Sequence, residues 1–521
     1  MNEAVIQVSL IIFTLLSFTG FLLSVLKQLS WRPALFVTCS FIMFVGFYIY
    51  ISSQLSYYYA FLIVVSGILI LVTPFIVAKD AFYKVKSLLS SLKFEHFLWF
   101  NLIILSVWIF RNRSSEQLRE NPVDMAALFR IMLVASTGII VICVTFISRR
   151  DTIKYLLHGI PILMLIYALI ALASTFYSVF PVLTLYKSME IIVDVLTIAF
   201  IVSQYPTQKD MKKMIDFSWF LMMLLIVSVW IGAIVAPSKA FRPVSFYEAT
   251  LERALFPVML RGIMPVINPN GLGFISGLLS IASLSRLINS NKQRDRLLYL
   301  VSFCVSFITL ILAQSRTSFI GINLGIIVLL ILNRKFKALI VLILIILLIA
   351  AYTDPLPLIA RYFLRGQTQE QAKEMSGRAT WWRVAWKDFM KSPIYGYGFG
   401  AGVRYVVFQH LDIPTTSSTM HNSWLEVLIN VGIIGFIPIA LTFLGTWWIL
   451  LKTCIKHNSK LNPISKILSN ELTAFWTLMS VRLITGGSSF MHDREFLLFL
   501  LVAVYAQQIR NLEKKESEDN L

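Results

Sequence analysis

Arginine is concentrated in three segments of the second half of the sequence, each next to a long apolar run. The segments are residues 237–268, the turn Ser315–Thr317 and residues 353–422, and they contain thirteen basic residues against seven acids. Nine of the basic residues are arginines: Arg242, Arg253, Arg261, Arg316, Arg361, Arg365, Arg378, Arg383 and Arg404. A guanidinium group offers a planar fork of donors that binds phosphate oxygens in pairs and stays protonated. The excess of basic residues therefore favours a site for a phosphorylated lipid or a diphosphate. The alternative is that these residues are merely solvated in loops that tolerate cations.

Two of these arginines stand at predicted helix boundaries. Arg316 lies in AQSRTSFIG, a very short turn between two apolar runs, so it must lie near a membrane surface, where it binds an anion or anchors to lipid headgroups. Arg261 precedes PVINPNGLG, in which Asn268 can cap a helix that has Pro269 in its first turn. The N-terminus of such a helix adds donors for an anion, although a structural turn explains NPN equally well.

A third arginine, Arg378, opens an aromatic stretch, SGRATWWRVAWKDFMKSPIYGYGFGAG. Its aromatic residues recur at helical spacings of three to five between Ala379 and Met390, at Trp381, Trp382, Trp386 and Phe389. This spacing predicts an amphipathic helix that rests on the outer membrane interface. The alternating glycines that follow (Gly396, Gly398, Gly400 and Gly402) predict a tight, flexible turn, and their spacing differs from that of a nucleotide-binding loop.

One histidine, His421, opens HNSWLEVLINVGIIGF at the mouth of an apolar run. An imidazole at this boundary can accept a proton near neutral pH, and an interfacial hydrogen-bonding residue is the plainer alternative. The sequence has no HExxH motif, no other cluster of histidines or carboxylates at metal-binding spacing and no GxSxG elbow. We therefore predict neither a metal nor a serine nucleophile.

The elements that must position these residues are transmembrane helices. Of the 521 residues, 57% are hydrophobic and 14% charged, and the mean hydropathy is +0.76. A soluble domain carries about 25% charged residues, whereas apolar runs of roughly 18–25 residues cross the hydrocarbon layer as helices. We therefore predict an all-α, polytopic membrane bundle of about 13–15 transmembrane helices with one long extracytoplasmic loop. The predicted spans are 4–26 (a first span, not a leader), 33–52, 57–78, 96–110, 124–148, 155–175, 185–203, 215–236, 269–287, 297–314, 318–333, 338–352, 423–451, 470–486 and 494–509.

The basic residues between the spans set the orientation. Lys and Arg cluster in alternate loops, and the positive-inside rule places those loops, with the tail after Arg510, in the cytoplasm. Under this orientation the basic stretch Arg111–Arg113 falls on the outer side, against the rule. The net charge of +19 is explained by the cytoplasmic loops, and the sequence has no basic patch interleaved with aromatics that would predict nucleic-acid binding.

The chain divides into three regions. Residues 1–150 are N-terminal transmembrane helices, 151–510 form a membrane domain that includes the extracytoplasmic loop 353–422, and 511–521 form a cytoplasmic tail. The tail contains EKKESED and is predicted to be disordered. Residues 80–95 alternate charged and apolar residues at near-helical spacing and are predicted to lie along the cytoplasmic membrane surface.

Taken in order, these motifs resemble the signature of the O-antigen ligase and polysaccharide polymerase superfamily. The set consists of SRTSFIG, SGRATWW followed by SPIYGYGFG, and HNSWLEVLINVGIIGF, with a long external loop before the histidine. Arg261 with NPNGLG, and ALASTFYSVFPVLTLYKSMEIIV at 171–193, are similar to earlier elements of the family. The resemblance, which covers residues 170–450, implies a C-type, inverting, metal-independent glycosyltransferase without a cofactor, multi-pass in the bacterial inner membrane and active on its outer face.

The resemblance also implies roles for individual residues. Arg261, Arg316 and Arg378 correspond to diphosphate-binding arginines and His421 to the catalytic histidine, with Arg404, Asn422 and Glu426 as secondary candidates. Asn422 and Glu426 are four residues apart, so they could share one helix face.

We predict a cell-surface polysaccharide polymerase, of O-antigen, capsule, exopolysaccharide or teichuronic acid type. Its partners would be undecaprenyl-diphosphate-linked oligosaccharide, an acceptor glycan, membrane lipids and other polysaccharide-assembly proteins. One alternative is an O-antigen ligase or oligosaccharyltransferase that moves the glycan to a lipid or protein acceptor. A transporter or flippase of the lipid-linked oligosaccharide, and a non-catalytic assembly protein, are further alternatives.

Overall fold

The computed structural model describes most of the chain beyond residue 93. The described residues are 94–107, 125–148, 150–204, 207–243, 254–256, 258–263, 265–340, 343–344, 355–368, 377–411, 413, 419–456, 462–486 and 490–518. The predicted spans 4–26, 33–52 and 57–78, the basic stretch at 111–113, and most of 80–95 and 338–352 lie outside these residues.

The described part of the chain is mainly helical. Its helices are α1 Phe94–Val107, α2 Met125–Ser148, α3 Arg150–Leu156, α4 Ile160–Ala173, α5 Pro181–Gln204, α6 Gln208–Val235, α7 Pro237–Ala240, α8 Pro269–Asn289, α9 Gln293–Ala313, α10 Arg316–Leu332, α11 Pro355–Leu364, α12 Arg378–Phe389, α13 Ser423–Lys456, α14 Pro463–Thr485 and α15 Arg494–Glu518. A 3₁₀ turn follows α4 at Ser174–Phe176, and a π turn lies at Val403–Val407.

Four of these helices are long and apolar enough to cross a membrane. They are α6, α8, α9 and the part of α13 from Ser423 to Cys454, and shorter apolar helical stretches cover Ile131–Thr145, Ile160–Phe176 and Arg316–Leu332. The fold is thus that of a helical membrane protein, as predicted, while the number of spans stays a prediction.

Two small hairpins interrupt the helical pattern before α8. Strand β1 (Phe241–Pro243) pairs antiparallel with β2 (Val258–Leu260), and β3 (Gly262–Ile263) pairs with β4 (Val266–Ile267). The all-α prediction did not include them, because two- and three-residue strands are too short to give a period-two pattern.

Small residues bring the central helices close together. α8 and α9 are joined by hydroxyl pairs, Ser280 with Ser306 and Ser283 with Ser302, each at 2.7 Å. A Cβ on Gly321 of α10 would lie 2.7 Å from the side chain of Leu478 in α14. Such small-residue contacts are typical of helix packing in membranes, where close backbone approach replaces the hydrophobic effect as the driving force.

Helix α13 is broken at Gly432, and the loop before it repairs the break. Gly432 has φ 63° and ψ −166°, so the helical hydrogen bonds around it are lost. Segment 393–398 supplies replacements: its residues 397 and 398 donate to the carbonyls of residues 429 and 430 (3.0 and 2.9 Å), and its carbonyls at 393 and 394 accept from the amides of 433 and 434 (2.9 and 3.3 Å). The predicted glycine turn is confirmed, with positive φ at Gly396, Gly398 and Gly400.

The chain continues as helix into the charged tail. α15 runs from Arg494 to Glu518, so the prediction of disorder for EKKESED is wrong for residues 513–518. Lys514 and Lys515 precede Glu518 by four and three residues, and opposite charges at these spacings support a helix.

Candidate functional site

The turn between α9 and α10 places Arg316 at a helix start. Gln314 closes α9 in a left-handed conformation (φ 49°), and its side-chain amide donates to the carbonyl of Val258 at 2.7 Å. This contact fastens the turn to strand β2. Arg316 then donates from Nη2 to Oε1 of Gln367 at 2.8 Å, while its buried Nε has no hydrogen-bond partner.

Arg365 lies beside Arg316, just after α11. It has φ 52°, and its Nε is likewise buried without a partner. Burial, followed by the positive charges of Arg316 and Arg378, lowers the pKa of Arg365 from 12.5 to about 9, against an opposing effect of Tyr362. Arg365 is one of the nine arginines noted in the sequence, but no motif marks it as a site residue, since only the tertiary fold brings α11 to α10.

Arg378 completes the group from the first residue of α12. Its Nη1 donates to the carbonyl of Thr485 at the end of α14, at 3.2 Å. Burial, then the charges of Arg316 and Arg482, lowers the pKa of Arg378 to about 10. The structure thus brings together the predicted Arg316 and Arg378, with Arg365 as a third member that the sequence analysis missed.

These three residues, Arg316, Arg365 and Arg378, are called the arginine cluster below. In the part of the chain that the structure describes, no carboxylate forms an ion pair with any of them. Like charges gathered in a desolvated place destabilise one another, and an unpaired buried charge is costly. An anionic ligand that paired with these guanidinium groups would reduce both penalties.

His421 lies next to the arginine cluster, on the turn that leads into α13. It has φ 60°, its amide donates to Oγ1 of Thr419 at 3.0 Å, and its Nδ1 lies 3.0 Å from the carbonyl oxygen of Gly486. Burial and then Arg378 lower the pKa of His421 from 6.5 to about 4, although the Gly486 carbonyl acts in the opposite direction. The imidazole is therefore neutral at physiological pH, so one of its ring nitrogens has a free lone pair.

Asn422 and Glu426 build the turn that carries His421. The Asn422 side chain accepts from the amide of Leu425 at 3.1 Å and caps α13. Glu426 is 3% exposed and accepts from Oγ1 of Thr419 at 2.5 Å and from the amide of Met420 at 2.6 Å. Both side chains are occupied by the turn, so their roles in this geometry are to cap the helix and fix the backbone at His421.

The predicted helix 379–390 is confirmed as α12, while its place at the outer membrane interface stays a prediction. Its aromatic residues are divided between two environments. Trp386 is exposed, whereas Trp381 contacts Phe408 edge-on at 5.6 Å between ring centroids. Nε1 of Trp382 donates to the carbonyl of Met420 at 3.0 Å. The inner face of α12 therefore packs inside the loop and fixes the residue before His421.

Arg261 and Arg404 lie apart from the arginine cluster. Arg261 follows β2, and its Nε donates to the carbonyl of Lys239 at 2.8 Å. Burial and the nearby Arg242 lower its pKa, and among the described residues it has no contact with Arg316, Arg378 or His421. Arg404 lies in the π turn near the buried Glu190, and burial lowers the pKa of Arg404.

The predicted cap of α8 is confirmed, with Pro269 in the first turn and the Asn268 side chain accepting from the amide of Gly271 at 2.6 Å.

A second feature that the sequence analysis missed is Arg482, in the last turn of α14. It is 2% exposed, forms an ion pair with Glu495, and donates to Oγ of Ser318 at 2.7 Å. Its charge acts on both Arg378 and His421. Arg482 lies inside the predicted span 470–486, and the sequence around it gives no indication of its partners.

Among the described residues no group of three or more His, Cys, Asp or Glu is arranged to hold a metal.

The described helices are those of a membrane protein, and they place a buried group of arginines next to a neutral imidazole. Residues 301–440 match the family model described as O-Antigen ligase. The match confirms the resemblance to the O-antigen ligase and polymerase superfamily, and it includes the arginine cluster and His421. The match covers 140 of the 521 residues, and at a coarse level it suggests a glycosyltransferase-like membrane enzyme. A search of curated proteins finds no match to the chain.

Proposed function

We propose that the protein is a cell-surface polysaccharide polymerase that transfers glycan from undecaprenyl diphosphate to a sugar hydroxyl on the outer face of the bacterial inner membrane. The observation that carries this proposal is the arginine cluster, which lacks an acidic partner among the described residues and lies beside the neutral His421. A diphosphate leaving group needs charge stabilisation, and fixed guanidinium groups in a water-poor place supply it.

The reaction follows from these positions. The oxygen of the acceptor hydroxyl attacks the anomeric carbon as the bond from that carbon to the diphosphate oxygen breaks, which inverts the configuration. The electron pair leaves with the polyprenyl diphosphate, whose charge the arginine cluster stabilises. His421 takes the hydroxyl proton, a contribution of about 10²- to 10⁴-fold in typical enzymes.

A ligase is the second candidate, and the description of the matched family favours it. It would use the same donor and the same site residues, and would differ only in the acceptor, a lipid or protein in place of the growing glycan. A transfer assay therefore has to vary the acceptor.

The test uses purified full-length protein in detergent with undecaprenyl-diphosphate oligosaccharide and a chelator, and the products are sized. We expect a ladder of longer lipid-linked chains from the wild type and none from His421→Ala. His410→Ala is the matched control, because His410 lies in the same loop with a half-exposed ring bound to Asp388. Product that forms only after a lipid or protein acceptor is added would favour the ligase. No product with any acceptor, or equal product from His421→Ala, would refute the proposed function.

A further inference from the structure

The C-terminal end of α14 contacts both predicted functional elements of the loop. The carbonyl of Thr485 accepts from Nη1 of Arg378 at 3.2 Å, and the next carbonyl, that of Gly486, lies 3.0 Å from Nδ1 of His421. The hydroxyl of Thr485 also lies 2.9 Å from that of Thr317, the neighbour of Arg316. The last carbonyls of a helix have no partner within the helix and carry partial negative charge, so they suit an arginine and an N–H donor.

The contact with Gly486 determines which nitrogen of His421 can act. A carbonyl oxygen accepts hydrogen bonds and cannot donate one, so Nδ1 must carry the hydrogen. In the neutral ring the lone pair is then on Nε2, and only Nε2 can take a proton from a hydroxyl. The charged groups that act on the ring are Arg378, Arg482 and Glu495.

Arg482 holds the end of α14 against three other helices. It forms its ion pair with Glu495 at the start of α15, donates to Ser318 in α10 at 2.7 Å, and reaches the carbonyl of Asn270 in α8 at 3.5 Å. Its own carbonyl accepts from the amide of Gly486 at 2.6 Å. The position of the Gly486 carbonyl is therefore fixed through Arg482.

We infer that the end of α14 is a positioning element of the transferase site: the Gly486 carbonyl fixes the tautomer and direction of His421, and the Arg482–Glu495 pair fixes that carbonyl. The inference rests on the proposed function for the role of His421. It assigns a task to Arg482, Gly486 and Glu495, which lie outside the matched range 301–440.

The first test reads the tautomer directly. The chain has six histidines, and ¹⁵N-histidine labelling of the full-length protein, with His421→Gln to assign the signal, reports which nitrogen is protonated. We expect the hydrogen on Nδ1 in the wild type at neutral pH. A hydrogen on Nε2 would overturn the inference without any measurement of activity.

The second test removes the anchor without leaving a lone buried charge. Arg482→Met combined with Glu495→Gln replaces the pair by uncharged side chains, an exchange that folded proteins often accept. The matched control is Arg286→Met combined with Glu471→Gln, because Arg286 and Glu471 form another buried pair (2.9 Å) near the N-terminal part of α14. Both double variants lose one buried ion pair on α14, and only the first is near His421. The control also removes the ion pair of Arg286 with Asp216 (2.8 Å), but Asp216 keeps Lys212 as a partner.

We expect the Arg482/Glu495 variant to lose about 10- to 100-fold in kcat, the size of effect that follows when a residue that orients a metal-bound histidine is removed in other enzymes. The KM for the donor should stay within about threefold of the wild-type value. As the pH is lowered, the activity of this variant should also begin to fall at a higher pH than that of the wild type. The reason is that a loosened turn admits water and raises the pKa of His421 from about 4 back toward 6.5. The control should keep the kcat and pH profile of the wild type.

The outcomes separate the inference from the proposed function. If the wild type transfers glycan but the Arg482/Glu495 variant keeps its kcat and pH profile, the positioning role is refuted and the proposed function stands. Equal losses in both double variants would show a general loss of folding and would also refute the specific role. If the wild type transfers no glycan to any acceptor, the proposed function fails and the inference fails with it.

Discussion

Removal of the charge of Arg365 should make the ligand-free protein more stable and the enzyme slower. Within the fold, burial and the charges of Arg316 and Arg378 lower the pKa of Arg365 from 12.5 to about 9. A pKa change of one unit corresponds to a free-energy difference of about 1.4 kcal/mol between the two protonation states. With a discount for the part of the side chain that reaches solvent, the protonated guanidinium destabilises the ligand-free protein by on the order of 2–3 kcal/mol.

The sign of the effect follows from the direction of the pKa change. Below about pH 9 Arg365 is protonated in both the folded and the unfolded protein, so the destabilisation is present in full at pH 7. It decreases as the pH rises through the folded pKa, because the folded protein then releases the proton first. Arg365→Gln should therefore raise Tm at pH 7 by roughly 2–6 °C.

The catalytic effect should have the opposite sign. A hydrogen bond from a charged group contributes about 1.5–3 kcal/mol, so Arg365→Gln should lower kcat/KM for the diphosphate donor by roughly 10- to 100-fold. Inorganic diphosphate should also raise the Tm of the wild type more than that of the variant, because the wild type offers one more guanidinium.

The assay is thermal unfolding in detergent at pH 7, with and without diphosphate, beside glycan transfer. Arg361→Gln is the matched control, since Arg361 lies four residues before Arg365, within α11, and is exposed, and exposed substitutions change stability by less than about 0.5 kcal/mol. A less stable Arg365→Gln protein with a normal transfer rate would contradict the assignment of Arg365 to a diphosphate site.

Three further predictions concern the pH profile, the chemistry of one arginine and the backbone. Because the pKa of His421 is lowered to about 4, kcat/KM should fall only as the pH drops through that value. Arg378→Met should move the fall to higher pH, and a wild-type profile that declines near pH 6.5 would count against a neutral buried base. Arg316→Lys should lower kcat about 10- to 100-fold because lysine lacks the planar fork, and an unchanged rate would indicate a membrane anchor. In Gly432→Ala the new Cβ would lie 2.1 Å from a backbone carbonyl oxygen, which should reduce the folded fraction by size-exclusion chromatography. Gly445→Ala in the same helix meets nothing within 4 Å and should stabilise the protein by about 0.5–1 kcal/mol.

Sequence patterns were sufficient where the determinants are local. The cap at Asn268, the aromatic helix after Arg378 and the glycine turn all depend on residues within a few positions of one another, and the structure confirms them. The bounds of most long apolar helices were predicted within a few residues for the same reason. The N-termini of α6 and α14 are exceptions, because the structure starts each helix about seven residues earlier with polar residues that the hydropathy pattern excludes. α15 likewise continues nine residues past the predicted end at 509, and the predicted span 155–175 is divided between α3 and α4.

The rest of the site depends on contacts between distant parts of the chain. Arg365 joins Arg316 only because α11 folds against α10, and Arg482 acts on His421 through the packing of α14. No spacing in the sequence predicts that Arg365 lies beside Arg316 or that Arg482 lies near His421. The break at Gly432 was also invisible, because a glycine in a long apolar run is compatible with an unbroken helix.

The repaired break in α13 has a consequence for how this protein can be rebuilt. Backbone groups left open at Gly432 would cost several kcal/mol each in hydrocarbon, and segment 393–398 supplies partners for four of them. The loop and the helix are therefore one structural part, although the sequence places 33 positions between Gly398 and Gly432. Any chimera that exchanges the loop in order to alter acceptor choice must carry Gly396, Gly398 and Gly432 together. Its junctions belong before α12 and after Gly432, not at the apparent membrane boundary near residue 423.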